Sequence, residues 1–466
     1  MYLEHAFRIS NTACLALTGS GGKTTALFQL ARRLNEVKGS HEGPEQPVIV
    51  TATTHLHQNQ IKLADSHWTG EKPADFARLE EGLHGVMLVT GPLEGDRTKG
   101  LDDHTIHWLH DFCSRHGLPM LVEADGSRQR PLKAPEIYEP PIPDFVETVA
   151  VVAGLSSLGQ PLNAEFVHRP EIYARLSGLE MGETISGAAL QRVLSHPAGG
   201  LKNIPARARR LVLLNQADTP ELQAQAKALA GSLLAAYHSV IIAALGQSLV
   251  HAVYEPVAGV ILAGGEARRF GRPKQLLDYH GQPFVRTVAK NALASGLMPV
   301  VVVSGANAEA VEAAVADLPV TITRNMDWQN GQSSSIQAGL QALRQPSLVN
   351  SFARSDDDAG SQERVGAAIF LLADQPQITS SIITALTEKH AQTLGAVLAP
   401  LVADRRANPV LFDRATFPDL MALSGDVGGR AVFSKYPVMY LPWHDQSLLL
   451  DVDTPEDLEK LRNLEQ

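Results

Sequence analysis

Cysteine is nearly missing. Cys14 and Cys113 are the two in 466 residues, about a hundred residues apart and outside any CxxC pair. That excludes a disulfide framework and a thiolate zinc site, and a reducing cytoplasm is the expected setting. A basic excess is missing too. Lysine and arginine number 40 against 50 aspartates and glutamates, a formal charge of −10, and the deficit is shared, with 22 against 27 up to residue 255. Without a basic module, nucleic acid is not an expected partner. No apolar run approaches the ~18 residues that a membrane span requires, and the opening MYLEHAFRIS carries Glu4 and no apolar leader core. The chain is therefore read as soluble, unprocessed and without a membrane partner. Aromatics stand at 5 %, yet apolar residues reach 44 % and charged residues 19 %, a globular balance that fits neither disorder nor a fibrous repeat.

What is present is an alternation. Short apolar runs (Ala13 to Leu17, Val48 to Val50, Val86 to Val89, Met120 to Val122, Val149 to Val152, Leu211 to Leu214) are separated by longer helical patterns. Such runs predict strands buried on both faces of a mostly parallel sheet with helical crossovers. The same grammar restarts at Val257 to Leu262 and continues through Val300 to Val303, Ala367 to Leu372, Ala396 to Ala399 and Met439 to Leu441. A helix over Leu222 to Ala236 and a strand over Val240 to Leu245 close the first unit, and Gly246 to Pro256 is read as the link to the second. At roughly 150 residues per domain the length suggests about three units, but the restart of the pattern makes the expectation an α/β chain of two successive three-layer domains, 1–250 and 256–466. The acidic stretch Ser351 to Val365 reads as a mobile insertion. His104, His107 and His110, at helical spacing, read as a solvated helix face rather than as metal ligands.

Residues 14–25 read CLALTGSGGKTT, an apolar strand followed by Gly19, Ser20, Gly21, Gly22, Lys23, Thr24 and Thr25, and then by a helical pattern. Strand, glycine loop and helix make a phosphate cradle: glycines let backbone N–H groups approach phosphate oxygens, Lys23 offsets their charge, and Thr24 can ligate magnesium. The first glycine of a full Walker A pattern is replaced by Leu17, and the short loop resembles that of the Mur ligase family of ATP-dependent enzymes. Glu123 and Asp125 end an apolar strand where a magnesium-binding acid would sit, although a strand ending in solvent-facing acids reads equally well from that segment alone. The string Asn215-Gln216-Ala217-Asp218 resembles the base-reading motif of GTPases with glutamine in place of lysine, and a helix N-cap at Asp218 is the simpler reading. Arg128, Arg130 and Lys133 suit either an anionic ligand or plain solvated charge.

The second glycine turn, VAGVILAGGEARRFGRPK over 257–274, is followed by cations at fixed distance. Gly264 and Gly265 would offer N–H groups to a triphosphate, Arg269 would hold the leaving pyrophosphate, and Lys274 would sit on the α-phosphate. Asp374 in LLADQP and Asp451 and Asp453 in LLLDVDTP end apolar runs, and two such strand-end carboxylates can share one magnesium ion. A helix cap is the alternative for each.

Residues 1–250 resemble the YqeC-type accessory proteins of selenium-dependent hydroxylases, through TGSGGKTT (18–25), TATTH (51–55), EADGSRQRPLKAP (123–135), EPPIPD (139–144), HRPE (168–171), PAGGLKNIP (197–205) and LLNQAD (213–218). The resemblance implies a P-loop-like domain that binds ATP or GTP and serves an apo molybdenum hydroxylase. The remainder resembles the MobA-like nucleotidyltransferases, nearest the molybdenum cofactor cytidylyltransferase branch, through LAGGEARRFGRPKQLL (262–277), NMDWQNGQSSSIQAG (325–339), LLADQP (371–376), NPVLF (408–412), GDVGGR (425–430) and LDVDTPEDL (450–458). That likeness implies a Rossmann-like domain transferring CMP from CTP, or GMP from GTP, to molybdopterin cofactor with Mg²⁺. It implies that Leu262, Ala263, Gly264, Gly265, Asn325, Gly331 and Ser335 line the nucleotide site, and that Asn408 and Pro409 face the acceptor. Gly264-Gly265 is the pairing common in guanylyltransferases, whereas PKQLL points to the cytidylyl branch. A sugar-phosphate nucleotidyltransferase, and for the first half a non-catalytic nucleotide-gated chaperone, are the other readings.

Overall fold

The computed structural model describes residues 1–36, 46–126, 128–266, 273–345 and 364–463. The chain divides into two compact units, Met1–Tyr254 and Glu255–Gln466. Arg269, Ala267 and Arg268 lie outside the described residues, as does the acidic stretch except for its last two positions. No described helix is long and apolar enough to cross a membrane.

In the first unit the apolar runs become β1 (Cys14–Gly19), β2 (Val48–Ala52), β4 (Val86–Thr90), β5 (Met120–Glu123), β6 (Thr148–Gly154), β7 (Arg209–Asn215) and β8 (Ser239–Ala244), and β3 (Ser66–Thr69) and β9 (Leu249–Tyr254) are strands that were not read as such runs. Among the described residues they form one nine-stranded sheet in the order β9-β8-β7-β6-β1-β5-β2-β4-β3. All pairings are parallel except β8 with β9. Val149, Val151 and Ala153 share one face of β6, and along that face Val149 packs into one core, with Ile106 and Phe112, and Val151 and Ala153 into another, with Tyr173 and Leu190. Helix α1 (Lys23–Glu36) covers the sheet with Leu27, Leu30, Ala31 and Leu34 buried, one face of a 3.6-residue period. The expected link Gly246 to Pro256 is instead largely strand. Leu245–Gln247 makes a tight turn, and LVHAVY then returns antiparallel as an edge, which needs no crossover helix.

Helix α2 (Asp103–His116) carries the three histidines. Its face is packed rather than fully solvated: His107 Nε2 lies 3.0 Å from Asp144 Oδ1, and the His110 ring stacks on Phe145 at 4.1 Å.

In the second unit, β10 (Val257–Ala263) lies between β11 (Val300–Ser304) and β13 (Ala367–Leu372), with β12 (Thr321–Arg324) at the edge beyond β11. On the other flank, β15 (Val410–Asp413) runs antiparallel between β13 and β14 (Val397–Val402), and β16 (Val438–Pro442) pairs parallel with β14. The short β12 and β15 were not evident as apolar runs, since four residues leave too little pattern. In both units the first strand is central and its neighbours leave in opposite directions, which opens a crevice at its carboxyl end.

Candidate functional site

The first crevice opens where β1 ends. Gly19, Gly21 and Gly22 have φ of +85°, +87° and +127°, the left-handed region that disfavours side chains. The loop is clamped: Ser20 N donates to Val152 O at 2.8 Å, and Asn215 Nδ2 donates to Gly21 O at 2.7 Å while Asn215 Oδ1 accepts from Leu245 N at 3.0 Å. Asn215 is thus spent on the loop. Asp218 accepts from Gln247, and the N-cap of the following helix is Thr219, which accepts from Leu222 N. The N-cap reading of Asp218 is therefore corrected by one position.

A cleft of ≈ 370 Å³ gathers Gly21, Gly22, Lys23, Thr24, Thr25 and Glu123. Thr24 Oγ1 donates to Glu123 Oε2 at 3.0 Å and accepts from Gln60 Nε2 at 2.6 Å. Burial pushes the Glu123 carboxyl up, against the pull of Lys23 and of the Thr24 bond. Gly19, Ser20 and Asp125 stand behind this wall. Asp125 is engaged differently from a magnesium ligand: Lys23 Nζ lies 3.0 Å from one carboxylate oxygen and Lys133 Nζ 3.0 Å from the other, and Gly19 N donates to it at 3.1 Å. Lys23 Nζ also donates to Gly19 O at 2.7 Å. Lys133, read as either an anion holder or a solvated charge, has a side chain 1 % exposed and also pairs with Glu139 at 2.8 Å, to which Arg169 donates at 2.9 Å. The sequence separation of these partners hid the network.

In the second unit one cleft of ≈ 990 Å³ is lined by Leu262, Ala263, Gly264, Gly265, Lys274, Gly331, Ser335, Asp374 and Asp453. Lys274 Nζ is ion-paired with Asp453 Oδ1. Desolvation raises the Asp374 carboxyl; Lys274 pulls it down, while Asp451 and Asp453 push it further up. A Cβ on Gly264 would come 3.0 Å from Ser335 Oγ, which explains a glycine there.

Four expected site residues, Asn325, Asn408, Pro409 and Asp451, are not among those that line this cleft. Asn325 is buried behind Ser335, donating to its Oγ at 3.0 Å and to Ser334 Oγ at 2.8 Å. Asn408, next to Pro409, donates to Gln375 Oε1 at 3.0 Å, and Gln375 Nε2 donates to Asp451 Oδ1 at 2.9 Å. Sequence reading missed Gln275, whose Nε2 braces the glycine turn through Ala263 O and Gly265 O at 3.3 and 3.1 Å. It also missed Asp426 on the cleft wall, whose Oδ1 accepts from Gln332 N at the start of α3 (Gln332–Ala342) at 3.2 Å; GDVGGR was the available signal.

Gly331 has φ +95°, and a Cβ there would lie 2.7 Å from Asp426 N, inside that loop's backbone. Gly331→Ala is therefore expected to destabilise the second unit by about 1–3 kcal/mol and to speed proteolytic nicking near residue 426. Calorimetry with limited proteolysis checks this, and an unchanged variant would mean that the loop gives way freely.

Residues 15–171 match the family described as YqeC protein, and residues 259–439 match the MobA-like NTP transferase domain. The YqeC protein of Escherichia coli (strain K12) is 31 % identical over 211 residues, 43 % of this chain and 75 % of that protein. Nicotine blue oxidoreductase of Paenarthrobacter nicotinovorans is 33 % identical over 215 residues, 44 % of this chain and 96 % of that one. A probable molybdenum cofactor guanylyltransferase of Bacillus cytotoxicus is 31 % identical over 87 residues, 19 % of this chain and 43 % of its own length. A glycine loop ending each central strand and a relative matched over most of its own length for each family lead to one assignment: the chain belongs to the YqeC family through its first unit and to the MobA-like NTP transferases through its second, and it is a nucleotidyltransferase.

Proposed function

We propose that the second unit transfers a nucleoside monophosphate, CMP in preference, from an NTP to the terminal phosphate of molybdopterin cofactor in the cytoplasm, and that the first unit binds ATP or GTP and aids maturation of a molybdenum hydroxylase. The observation that carries the first half is the single cleft holding Gly264, Gly265, Lys274, Asp374 and Asp453. An oxygen of the acceptor phosphate attacks the α-phosphorus, and the bond to the β-phosphate bridge breaks to release pyrophosphate. The acceptor is already anionic and needs no strong base, so the task is to bring two anions together. Lys274 would meet charge growing on the α-phosphate, and the turn at 264–265 would present N–H groups to the tail. Asp374 and Asp453 line the same cleft, and their carboxylates are hard oxygen ligands that suit Mg²⁺ completed by water and phosphate oxygens. When bound, such an ion would neutralise phosphate charge. Arg269 keeps its proposed place on the pyrophosphate by resemblance.

The PKQLL string, whose Gln275 braces the glycine turn, favours CTP. The Gly264-Gly265 pair keeps GTP as the second reading. Incubating the protein with molybdopterin cofactor, Mg²⁺ and each ribonucleotide in turn, and identifying the product by mass spectrometry, is expected to give the cytosine dinucleotide. A guanine dinucleotide would reverse the base choice, and no dinucleotide with any of the four would remove molybdopterin cofactor as acceptor.

A further inference from the structure

The cleft of the first unit carries cations that the glycine loop does not require. A polyphosphate on residues 19–25 would already meet Lys23, the loop N–H groups and the start of the 14-residue α1. Arg97, Arg128 and Arg130 line the same cleft and are exposed. Among the described residues, Arg128 and Arg130 have no carboxylate partner, and the nearest carboxylate oxygen to Arg97, on Asp96, is 4.0 Å away. Three like charges on one concave wall repel one another and focus a positive potential into it.

The wall is built rather than draped. Arg128 and Gln129 are consecutive residues at positive φ, +48° and +61°, a backbone arrangement that costs free energy for side-chain-bearing residues. The carbonyl of Arg130 accepts the Ser20 hydroxyl, which ties this segment to the glycine loop. Arg97 stands on a two-stranded hairpin and is bridged to His57, while His55 Nδ1 lies 3.0 Å from Thr98 O. TATTH thus contributes His55 to this cleft, and EADGSRQRPLKAP contributes Arg128 and Arg130.

We infer that the first unit's cleft holds a second anion beside the nucleotide: a small phosphorylated molecule whose phosphoryl group sits on Arg97, Arg128 and Arg130. The inference rests on the nucleotide reading of residues 19–25. Guanidinium forks from separate segments match phosphoryl oxygens, and they line the same cleft as Gly21 to Thr25, which sets the second anion beside the nucleotide's phosphates.

The test uses the full chain with Mg²⁺ and saturating AMP-PNP, titrated calorimetrically with inorganic phosphate. Arg128→Gln/Arg130→Gln is expected to weaken phosphate binding about tenfold or more and to leave AMP-PNP affinity within about twofold. Any phosphate taken up by the second unit is common to both proteins and cancels in the comparison. Equal phosphate affinity in the two proteins overturns the inference. So does a parallel loss of AMP-PNP affinity, which would assign the arginines to the nucleotide's own phosphates. Lys23→Ala separates the two readings: if it leaves AMP-PNP binding intact, the nucleotide assignment fails, whereas Lys23-dependent nucleotide binding without arginine-dependent phosphate binding sinks this inference alone.

Discussion

Lys274→Ala is expected to lower kcat for pyrophosphate release by about 10²–10³-fold while changing nucleotide affinity by no more than about fivefold. The argument is one of timing. In the ground state the triphosphate is also held by the glycine turn, whereas charge on the α-phosphate grows as the acceptor oxygen attacks. A cation placed there is worth more in the transition state than before it. Lys274 lines the same cleft as Gly264 and Gly265 and is paired with Asp453, so its ammonium can pass from a carboxylate to a phosphate. A second consequence concerns pH. Lys274 pulls down the Asp374 carboxyl that desolvation raises. Removing Lys274 lifts that carboxyl further, so the acid limb of kcat/KM is expected to move to higher pH. Single-turnover assays across pH with separate binding measurements check both parts. A variant that turns over at the wild-type rate would take Lys274 out of catalysis, and one that lost binding and turnover equally would make it a binding residue only.

The parts of this molecule legible in sequence are those that local chemistry writes. Strands buried on both faces leave continuous apolar runs, so β1 and β10 could be read together with the glycine turns that follow them. The turns revealed their backbone demands as well: Gly19, Gly21 and Gly22 all adopt positive φ. What stayed hidden depends on which strands lie side by side. Lys23 and Asp125 are about a hundred residues apart and meet because β1 and β5 are neighbours. Asn408 and Asp451 are joined through Gln375, a relay that spacing cannot announce. At Asp218 and Thr219 the error is a single position: both can cap a helix, and only the backbone decides which one does. Asp426 shows the opposite case, a residue inside a recognised string whose role emerged only from its bond to the start of α3.

The largest stability effect is expected from Lys133→Met, which leaves the buried carboxylate of Asp125 with Lys23 as its remaining lysine and deprives Glu139 of one of its two cations. Lys133 is 1 % exposed and stands 3.0 and 2.8 Å from those two carboxylates, and its ammonium also donates to Gly126 O at 2.6 Å. Breaking such a cluster from one side costs about 3–5 kcal/mol, chiefly because the partner charges stay buried. For a unit of this size that corresponds to a fall of roughly 10 °C in its melting temperature. The acid dependence supplies an independent sign. Burial alone would raise Glu139, but hydrogen bonds from Arg169 and Lys133 overrule it and hold the carboxyl at about 2, below its ordinary 4.5. A carboxyl depressed in the folded state stabilises fully above its unfolded value and loses that contribution as pH falls from 4.5 toward 2. Without Lys133 the depression is smaller, so acid removes less from the variant, and the gap between the two proteins is expected to narrow as the pH falls through this window. Scanning calorimetry at neutral and acid pH, with Lys133→Met/Glu139→Gln as the charge-relieved companion, measures each step. A variant that melts with the wild type at neutral pH, or a gap that widens in acid, would show that the cluster is not held together by these charges.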